Sequence, residues 1–206
     1  GYMAFLTLGA LTLIPILQLP SLKSVAPTIL TRWKRLIILL LLVVAVTSYF
    51  LVPFFMDRLY FNTGVLIKDG IMDSVGHSVV LRALAEGNLF DWGRFPSLTI
   101  LAFSGLVICI LRYRHERYLI PVAAFVLWLL IFFGRPTWGS SIDLLPLSQH
   151  LHIHRFIAGV HLGGLFLSAV ALSACWHWAI RRSKTRYIYI VAAGALTVLL
   201  LSPMFV

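Results

Sequence analysis

Charged residues are scarce in this chain, and acidic residues are the scarcest of them. Charged residues make up 12% of the sequence and seven residues are acidic, whereas 60% are hydrophobic. A soluble domain typically has about 25% charged residues, so this chain has too little polar surface to cover itself in water. The composition argues against a soluble domain and predicts a polytopic membrane protein.

Cysteines and nucleotide-binding motifs are also lacking. Cys109 and Cys175 fall inside apolar stretches, where we expect small buried side chains rather than a disulfide framework. The sequence contains no Walker-type, GxGxxG or CxxC motif and no tandem repeat. The net charge is +10, but the sequence shows no soluble basic face on which nucleic acid could bind. We therefore predict membrane lipid, and not nucleic acid, as a partner.

Apolar stretches long enough, or nearly so, to cross a hydrocarbon core about 30 Å thick occur six times. We therefore predict an all-α fold, a polytopic transmembrane helix bundle of about six spans, with residues 1–206 in a single integral membrane domain. The predicted spans are Met3–Leu19, Leu36–Met56, Ser97–Leu111, Tyr118–Phe133, Phe156–Ile180 and Tyr187–Val206.

The connections between these stretches differ in charge. Three connections hold 11 of the 17 basic residues and one acid, while the other two hold six basic residues and six acids. The positive-inside rule places the three basic connections in the cytoplasm. The longer loops, at about 57–96 and 134–155, and both ends of the chain are then predicted to lie outside. The first basic connection is the one that holds Lys23, Arg32, Lys34 and Arg35.

Both ends of the sequence suggest a piece of a longer protein. Gly1 is not an initiator, the apolar stretch after it lacks the basic region of a signal peptide, and the chain stops at Val206 without a polar tail. We expect further spans in the longer chain.

The first outer loop is predicted to be partly helical and to hold candidate site residues. Asp73 or Ser74 can cap a helix with Val75, Val79 and Leu84 on one face, and Gly87-Asn88 can end it. One interpretation is a polar outer cavity, in which carboxylates bind a divalent cation or act as a base and arginines bind phosphate. The other is a solvated face with ordinary caps and ion pairs. The candidates here are Asp73, Arg82, Asp91 and Arg94.

The second outer loop leads into the histidine-rich stretch PLSQHLHIHRFIAGVHL. On a helix, His150, His154 and His161 would share a face. The histidines could bind a metal or haem, hydrogen-bond at the membrane surface, or line a polar substrate cavity, and no coordination set stands out.

Other residues of this loop give more specific expectations. Asp143 is its only acid, so Arg135 and Arg155 are its expected partners. His161 lies below the start of the fifth span, where an ionisable side chain usually faces a cavity or the bundle interior. Small residues on the same span predict close helix packing and a central position in the bundle; they are Gly159, Gly163, Gly164 and Ser168.

Two stretches carry a family resemblance. LRALAEGNLFDWGRFPSLTILAFSG and GRPTWGSSIDLLPLSQHLHIHRFIAGVHLGGLFL, within roughly Asp73 to Leu167, resemble the 6-pyruvoyl-tetrahydropterin synthase-related family of bacterial integral membrane proteins. The most specific pieces are LFDxGRFPxLT and LLPL…HRFxxxVHL. The resemblance implies no pterin chemistry. It implies a fold similar to the GT-C glycosyltransferases, which take sugars from polyprenyl-phosphate donors at the outer face.

The resemblance also implies roles for the candidate residues in cell-envelope glycan assembly at the bacterial cytoplasmic membrane. Asp73 and Asp143 would be catalytic, as a base or through a divalent cation. Contacts to phosphate or sugar would come from Arg82, Asp91, Arg94, Arg135, His154, Arg155 and His161. The usual acidic motif of such enzymes lies near the N-terminus and has no counterpart here. Two alternatives stay open: a non-enzymatic lipid or polysaccharide transporter or assembly subunit, and a metal- or haem-binding membrane protein.

Overall fold

A computed structural model describes residues 22–57, 73–144, 152–181 and 186–202. Within these ranges the regular structure is helical and no strand occurs, which confirms the all-α fold. The chain divides into two compact units, Gly1–Met72 and Asp73–Val206. The predicted span Met3–Leu19 lies outside the described residues.

The first unit contains one long described helix, α1, from Leu22 to Met56. The predicted span Leu36–Met56 lies within this helix, which begins before the predicted connection residues Lys23, Arg32, Lys34 and Arg35. All four basic residues lie on the helix. Lysine and arginine are good helix formers, and their aliphatic stems can lie along apolar surface, so a change from apolar to basic residues does not end a helix.

The second unit contains the remaining helices. In chain order they are α2 His77–Ala85, α3 Asn88–Asp91, α4 Ser97–Leu111, α5 Glu116–Phe132, α6 Arg135–Trp138, a 3₁₀ turn Gly139–Leu144, a 3₁₀ turn Ile153–Phe156, α7 Ile157–Arg181 and α8 Arg186–Leu201. The predicted bounds of α4 are confirmed, and those of α5 and α7 agree within about two residues at either end. The prediction that the loop at about 57–96 is partly helical is confirmed for its described part by α2 and α3.

Helix α7 is the centre of the second unit and packs against α4, α5 and α8. The predicted small residues Gly159, Gly163, Gly164 and Ser168 are all buried. A Cβ atom on Gly163 would lie 2.6 Å from Cα of Phe125 on α5, so the backbones of α5 and α7 approach as closely as glycine allows. The predicted central position of this helix is confirmed within the second unit.

The face by which α2 packs differs from the predicted one. Val80 and Leu84 are buried, whereas Val75 is 61% and Val79 is 51% exposed. The helix begins at His77, so Val75 precedes it. The two residues that face the core, Val80 and Leu84, are one turn apart. Gly87, with a φ of 81°, follows the end of α2 as predicted.

One described helical segment is long and apolar enough to cross a membrane. It runs through Ile153–Arg181 and has a mean hydropathy of 1.8. A second span results if α5 and the segment Arg135–Leu144 are counted together, although they are bent by 78°. Ser97–Leu111 and Tyr187–Leu201 are apolar but shorter than a full span. The core helix of a soluble protein meets the same criterion, so length and composition alone fix neither six spans nor their orientation.

Candidate functional site

Arg135 lies between the two carboxylates that sequence analysis selected as catalytic. Its Nη1 atom is 3.7 Å from Oδ2 of Asp73, and its Nη2 atom is 4.0 Å from Oδ1 of Asp143. The structure thus brings together three predicted site residues, which we call the carboxylate–arginine cluster. Asp143 pairs with Arg135 as expected, but no ion pair joins it to Arg155 within the described ranges.

Backbone contacts hold one side of this cluster. Oδ1 of Asp73 accepts hydrogen bonds from the backbone N–H of Ser74 at 2.8 Å and of Arg135 at 3.3 Å. Asp73 therefore caps the start of α6 and not, as sequence analysis expected, the start of α2. Gly134 makes this possible, since it has a φ of 68° and a Cβ atom there would lie 2.7 Å from Oδ1 of Asp73.

The start of α2 is capped in return from α6. Oγ1 of Thr137 accepts a hydrogen bond from the backbone N–H of His77 at 2.8 Å and lies 3.1 Å from Nδ1 of the same histidine. The Thr137 hydroxyl also donates to the carbonyl of Phe133 at 3.2 Å. The N-cap residue of α2 itself, Gly76, has no side chain for this purpose. The segment before α2 and the segment after α5 therefore cap each other's helices.

The cluster differs from side to side in accessibility. The side chain of Asp73 is 14% exposed, whereas those of Arg135 and Asp143 are 36% and 56% exposed. Both ion-pair distances exceed hydrogen-bonding length, so Arg135 interacts with the two carboxylates through charge. The arrangement can offer a cation to an anionic group and an exposed carboxylate to a hydroxyl, with Asp73 fixing the loop that carries both.

Asp91 was predicted to bind substrate, and the structure shows it in a structural role. It is buried, its Oδ1 accepts from the N–H of Leu98 at 3.0 Å, and its Oδ2 accepts from the N–H and hydroxyl of Thr99 at 3.0 and 2.7 Å. Both oxygens are thus engaged by the first turn of α4. Asp91 thus holds the start of α4, and its predicted contact to substrate stays a prediction.

His161 likewise makes a contact within the fold. Its Nε2 atom lies 2.8 Å from the carbonyl oxygen of Leu89, so the ring donates to the backbone of α3. The ring also packs at 5.7 Å from that of Phe90, and it lines a small cavity of about 150 Å³. This contact fastens α3 to α7, which explains an ionisable residue at this depth in the unit.

The other histidines do not form the predicted single face. His154 lies in the 3₁₀ turn that precedes α7, not on the α-helix that carries His161, and its ring is 5.9 Å from that of His152. His150 lies outside the described residues. Among the residues that are described, no group of three or more histidine, cysteine, aspartate or glutamate side chains is arranged to hold a metal ion.

The remaining predicted residues are arginines on the surface of the second unit. Arg82 lies on α2, Arg94 lies in the turn before α4, and Arg155 lies in the 3₁₀ turn before α7, and all three are exposed. Sequence analysis missed Thr137 and His77. They are separated by 60 residues, and no local pattern marks either as the other's partner.

In the described ranges the regular structure is helical, and the segment before α2 meets the segment after α5 at an ion-pair cluster beside packed apolar helices. No protein-family model, curated protein or solved structure matches the chain. The family resemblance of the two sequence stretches therefore stays a prediction.

Proposed function

We propose that the chain is a multi-pass protein of the bacterial cytoplasmic membrane, with six spans, the basic connections inside and both chain ends outside. Apolar stripes on the outside of the second unit support this. Phe103, Val107 and Ile110 follow one another at helical spacing on α4 and are 43%, 55% and 55% exposed. Val191 and Val198 on α8 are 70% and 69% exposed. Soluble monomers rarely expose such contiguous apolar surface, whereas hydrocarbon covers it at no cost.

We propose that the chain binds a polyprenyl-phosphate-linked sugar donor at the outer face and transfers the sugar from it, as in the GT-C enzymes that the sequence resembles. The observation that carries it is the convergence of two outer-loop carboxylates on Arg135. A lipid-linked phosphate would present its charge at the membrane surface, where a guanidinium binds phosphate oxygens well.

Each member of the carboxylate–arginine cluster has a separate role in this proposal. Arg135 pairs with the donor phosphate. Asp143, the more exposed acid, accepts the proton of an acceptor hydroxyl or helps to hold a divalent cation against the phosphate. Asp73 is a positioning residue, because its carboxylate caps α6 and so fixes where Arg135 begins. Of the other predicted contacts, Arg82, Arg94, His154 and Arg155 remain part of the proposal.

The experiment separates binding from transfer. The full chain, purified in mild detergent, is titrated with farnesyl phosphate, a short polyprenyl phosphate, and is incubated with a radiolabelled polyprenyl-phosphate sugar and envelope glycan. Arg135→Gln removes a charge-assisted contact and is expected to weaken farnesyl phosphate binding about tenfold. Asp143→Asn is expected to leave that binding within about twofold and to abolish label transfer.

Glu86→Gln serves as the matched control, because Glu86 is an exposed acid whose recorded partner is the neighbouring Asn88 side chain. It should change neither binding nor transfer. If Arg135→Gln binds farnesyl phosphate as well as the unaltered chain does, the cluster is not the phosphate site and the proposal is wrong.

A second candidate function is a non-catalytic lipid or polysaccharide transporter or assembly subunit. The use of Asp73 as a helix cap favours it, because Asp143 is then the one exposed carboxylate left in the cluster. This function predicts that Arg135→Gln weakens binding while neither the unaltered chain nor Asp143→Asn transfers label.

A further inference from the structure

A second polar region lies at the opposite end of α5 from the carboxylate–arginine cluster. Here a cleft of about 730 Å³ opens where α4 ends, α5 begins and α7 ends. The 17 residues of α5 separate the two regions by about 25 Å, at about 1.5 Å per residue. We call this region the basic cleft, and it shares no residue with the cluster.

Cations surround the mouth of the basic cleft. Arg112 follows α4, Arg117 lies in the first turn of α5, and Arg181 ends α7, with His177 one turn before it on the same helix face. All four side chains belong to exposed residues. None of the described residues that line the cleft is acidic, so its lining supplies no anion to balance three guanidinium groups.

Tyr118 contacts two of these cations, Arg112 and Arg117. Nη1 of Arg112 donates to the hydroxyl oxygen of Tyr118 at 2.8 Å. The guanidinium carbons of Arg112 and Arg117 lie 5.4 and 5.0 Å from the centre of the same ring. Cation–π contact offsets part of the repulsion between them, and it directs both side chains towards one place instead of letting them diverge into solvent.

The inner wall of the cleft is apolar except for Ser173 of α7. Ile108 of α4 faces Val170 and Ala174 of α7, which stand one turn apart on the helix face that continues to His177 and Arg181. Trp178 completes the wall, and its ring meets that of Tyr189 on α8 edge-on at 5.1 Å. The charged lining therefore lies at the helix ends, whereas the lining further along α4 and α7 is apolar except for Ser173.

The shape and lining together decide between possible ligands. Arginines that only anchor helices at an interface would extend outwards one by one and need no cavity. A free phosphate is far smaller than the cleft and would leave the apolar wall without a contact. An amphiphile with a phosphate headgroup and a hydrocarbon chain matches both parts, and basic pockets between helices are known to take lipid phosphates. We propose that the basic cleft binds an anionic membrane phospholipid, its phosphate on Arg112, Arg117 and Arg181 and its chain along the apolar wall.

The first test uses the unaltered full chain in mild detergent and compares three probes by native mass spectrometry and calorimetric titration. Dioctanoyl phosphatidylglycerol is expected to bind at least about tenfold more tightly than dioctanoyl phosphatidylcholine, whose choline cancels the phosphate charge. Inorganic phosphate is expected to bind more weakly than phosphatidylglycerol. Equal binding of the two lipids would refute the proposal that the cleft recognises the lipid's negative charge. If inorganic phosphate binds as tightly as the anionic lipid, the ligand is a free anion and not a lipid.

The second test alters the cleft. Arg117→Gln with Arg181→Gln should weaken phosphatidylglycerol binding by at least about tenfold, since two charge-assisted contacts are lost. Ala174→Phe places a large side chain in the space beside the apolar wall. It should weaken the binding of phosphatidylglycerol but not that of inorganic phosphate. Arg114→Gln is the matched control, because Arg114 is an exposed arginine of the α4–α5 turn that does not line the cleft. If the control weakens lipid binding as much as the double variant, a diffuse surface charge and not the cleft is responsible, and the proposal fails.

Discussion

The contact between α5 and α7 can be tested by adding one methyl group. A Cβ atom on Gly163 would lie 2.6 Å from Cα, 2.9 Å from N and 3.0 Å from Cβ of Phe125. These are mostly backbone atoms, so no flexible side chain can swing away. For Gly163→Ala to be accommodated, the two helices must separate by about 1 Å, because an ordinary carbon–carbon contact is about 3.5–4.0 Å.

A second glycine supplies the matched control. Gly194 lies in the interior of α8, where an added Cβ atom would meet only the indole ring of Trp176 at 4.0 Å. Both substitutions gain the same helix propensity, about 1 kcal/mol. Only Gly163→Ala carries the cost of overpacking, about 1–3 kcal/mol. The free energy of opening should therefore be lower for Gly163→Ala than for Gly194→Ala by about 1–3 kcal/mol.

The chain contains a reporter for this opening. Cys109 on α4 is fully buried beside the α4–α7 contact, where Gly105 packs on the backbone of Leu167. With Cys175 replaced by serine in every form, the labelling rate of Cys109 by a fluorogenic maleimide in detergent measures the opened population. We expect Gly163→Ala to label about five- to 150-fold faster than Gly194→Ala, since about 1.4 kcal/mol corresponds to a factor of ten.

Equal labelling rates for the two variants would refute this reasoning. They would mean that α5 and α7 have room between them, and that glycine at position 163 is not required for their approach. Slower labelling of Gly163→Ala than of the unaltered chain would also refute it. It would mean that the gain in helix propensity is not offset by any cost of overpacking.

The remaining predictions concern the two caps. Asp91→Ala leaves the N–H groups of Leu98 and Thr99 without their acceptor and should destabilise the chain by about 1–3 kcal/mol, with Asp91→Asn intermediate, as measured by the same labelling of Cys109. A change of less than about 0.5 kcal/mol would argue against the capping role. Thr137→Val removes the acceptor for the N–H of His77 and should speed hydrogen exchange at the start of α2 about fivefold, while Thr137→Ser should not. Equal exchange in the two variants would contradict the cross-loop cap.

Helix positions in the second unit followed from local sequence, and the reason is visible at individual residues. Pro96 precedes α4 and Arg112 follows it, so a run of apolar residues bounded on both sides predicted the bounds of that helix. The glycines of α7 predicted its burial, because small side chains on a long apolar helix are typical of close helix contacts. The apolar run Leu36–Met56 did not give the start of α1, since the basic residues before it continue the helix.

The roles of the acidic residues could not be predicted in this way. Asp73, Asp91 and Asp143 look alike in sequence as acids in polar loops. In the structure Asp73 caps α6, Asp91 caps α4, and Asp143 is more than half exposed beside Arg135. Whether a carboxylate is used by the backbone or left accessible depends on which N–H groups the fold brings to it, and these come from residues up to 62 positions away.

The amino-acid sequence by itself thus determined the all-α class, the bounds of α4, α5 and α7 and the central place of α7 in the second unit, because apolar runs and helix-forming residues act over a few turns. Tertiary structure alone decided that Asp73 meets Arg135, that Thr137 caps α2, and that the arginines of three helix ends surround one cleft. Those contacts arise where α4, α5 and α7 pack, and the packing angle and depth of three helices are set by side-chain fit between distant segments. The hydrophobic periodicity of a single segment therefore does not predict how its side chains fit against those of distant segments.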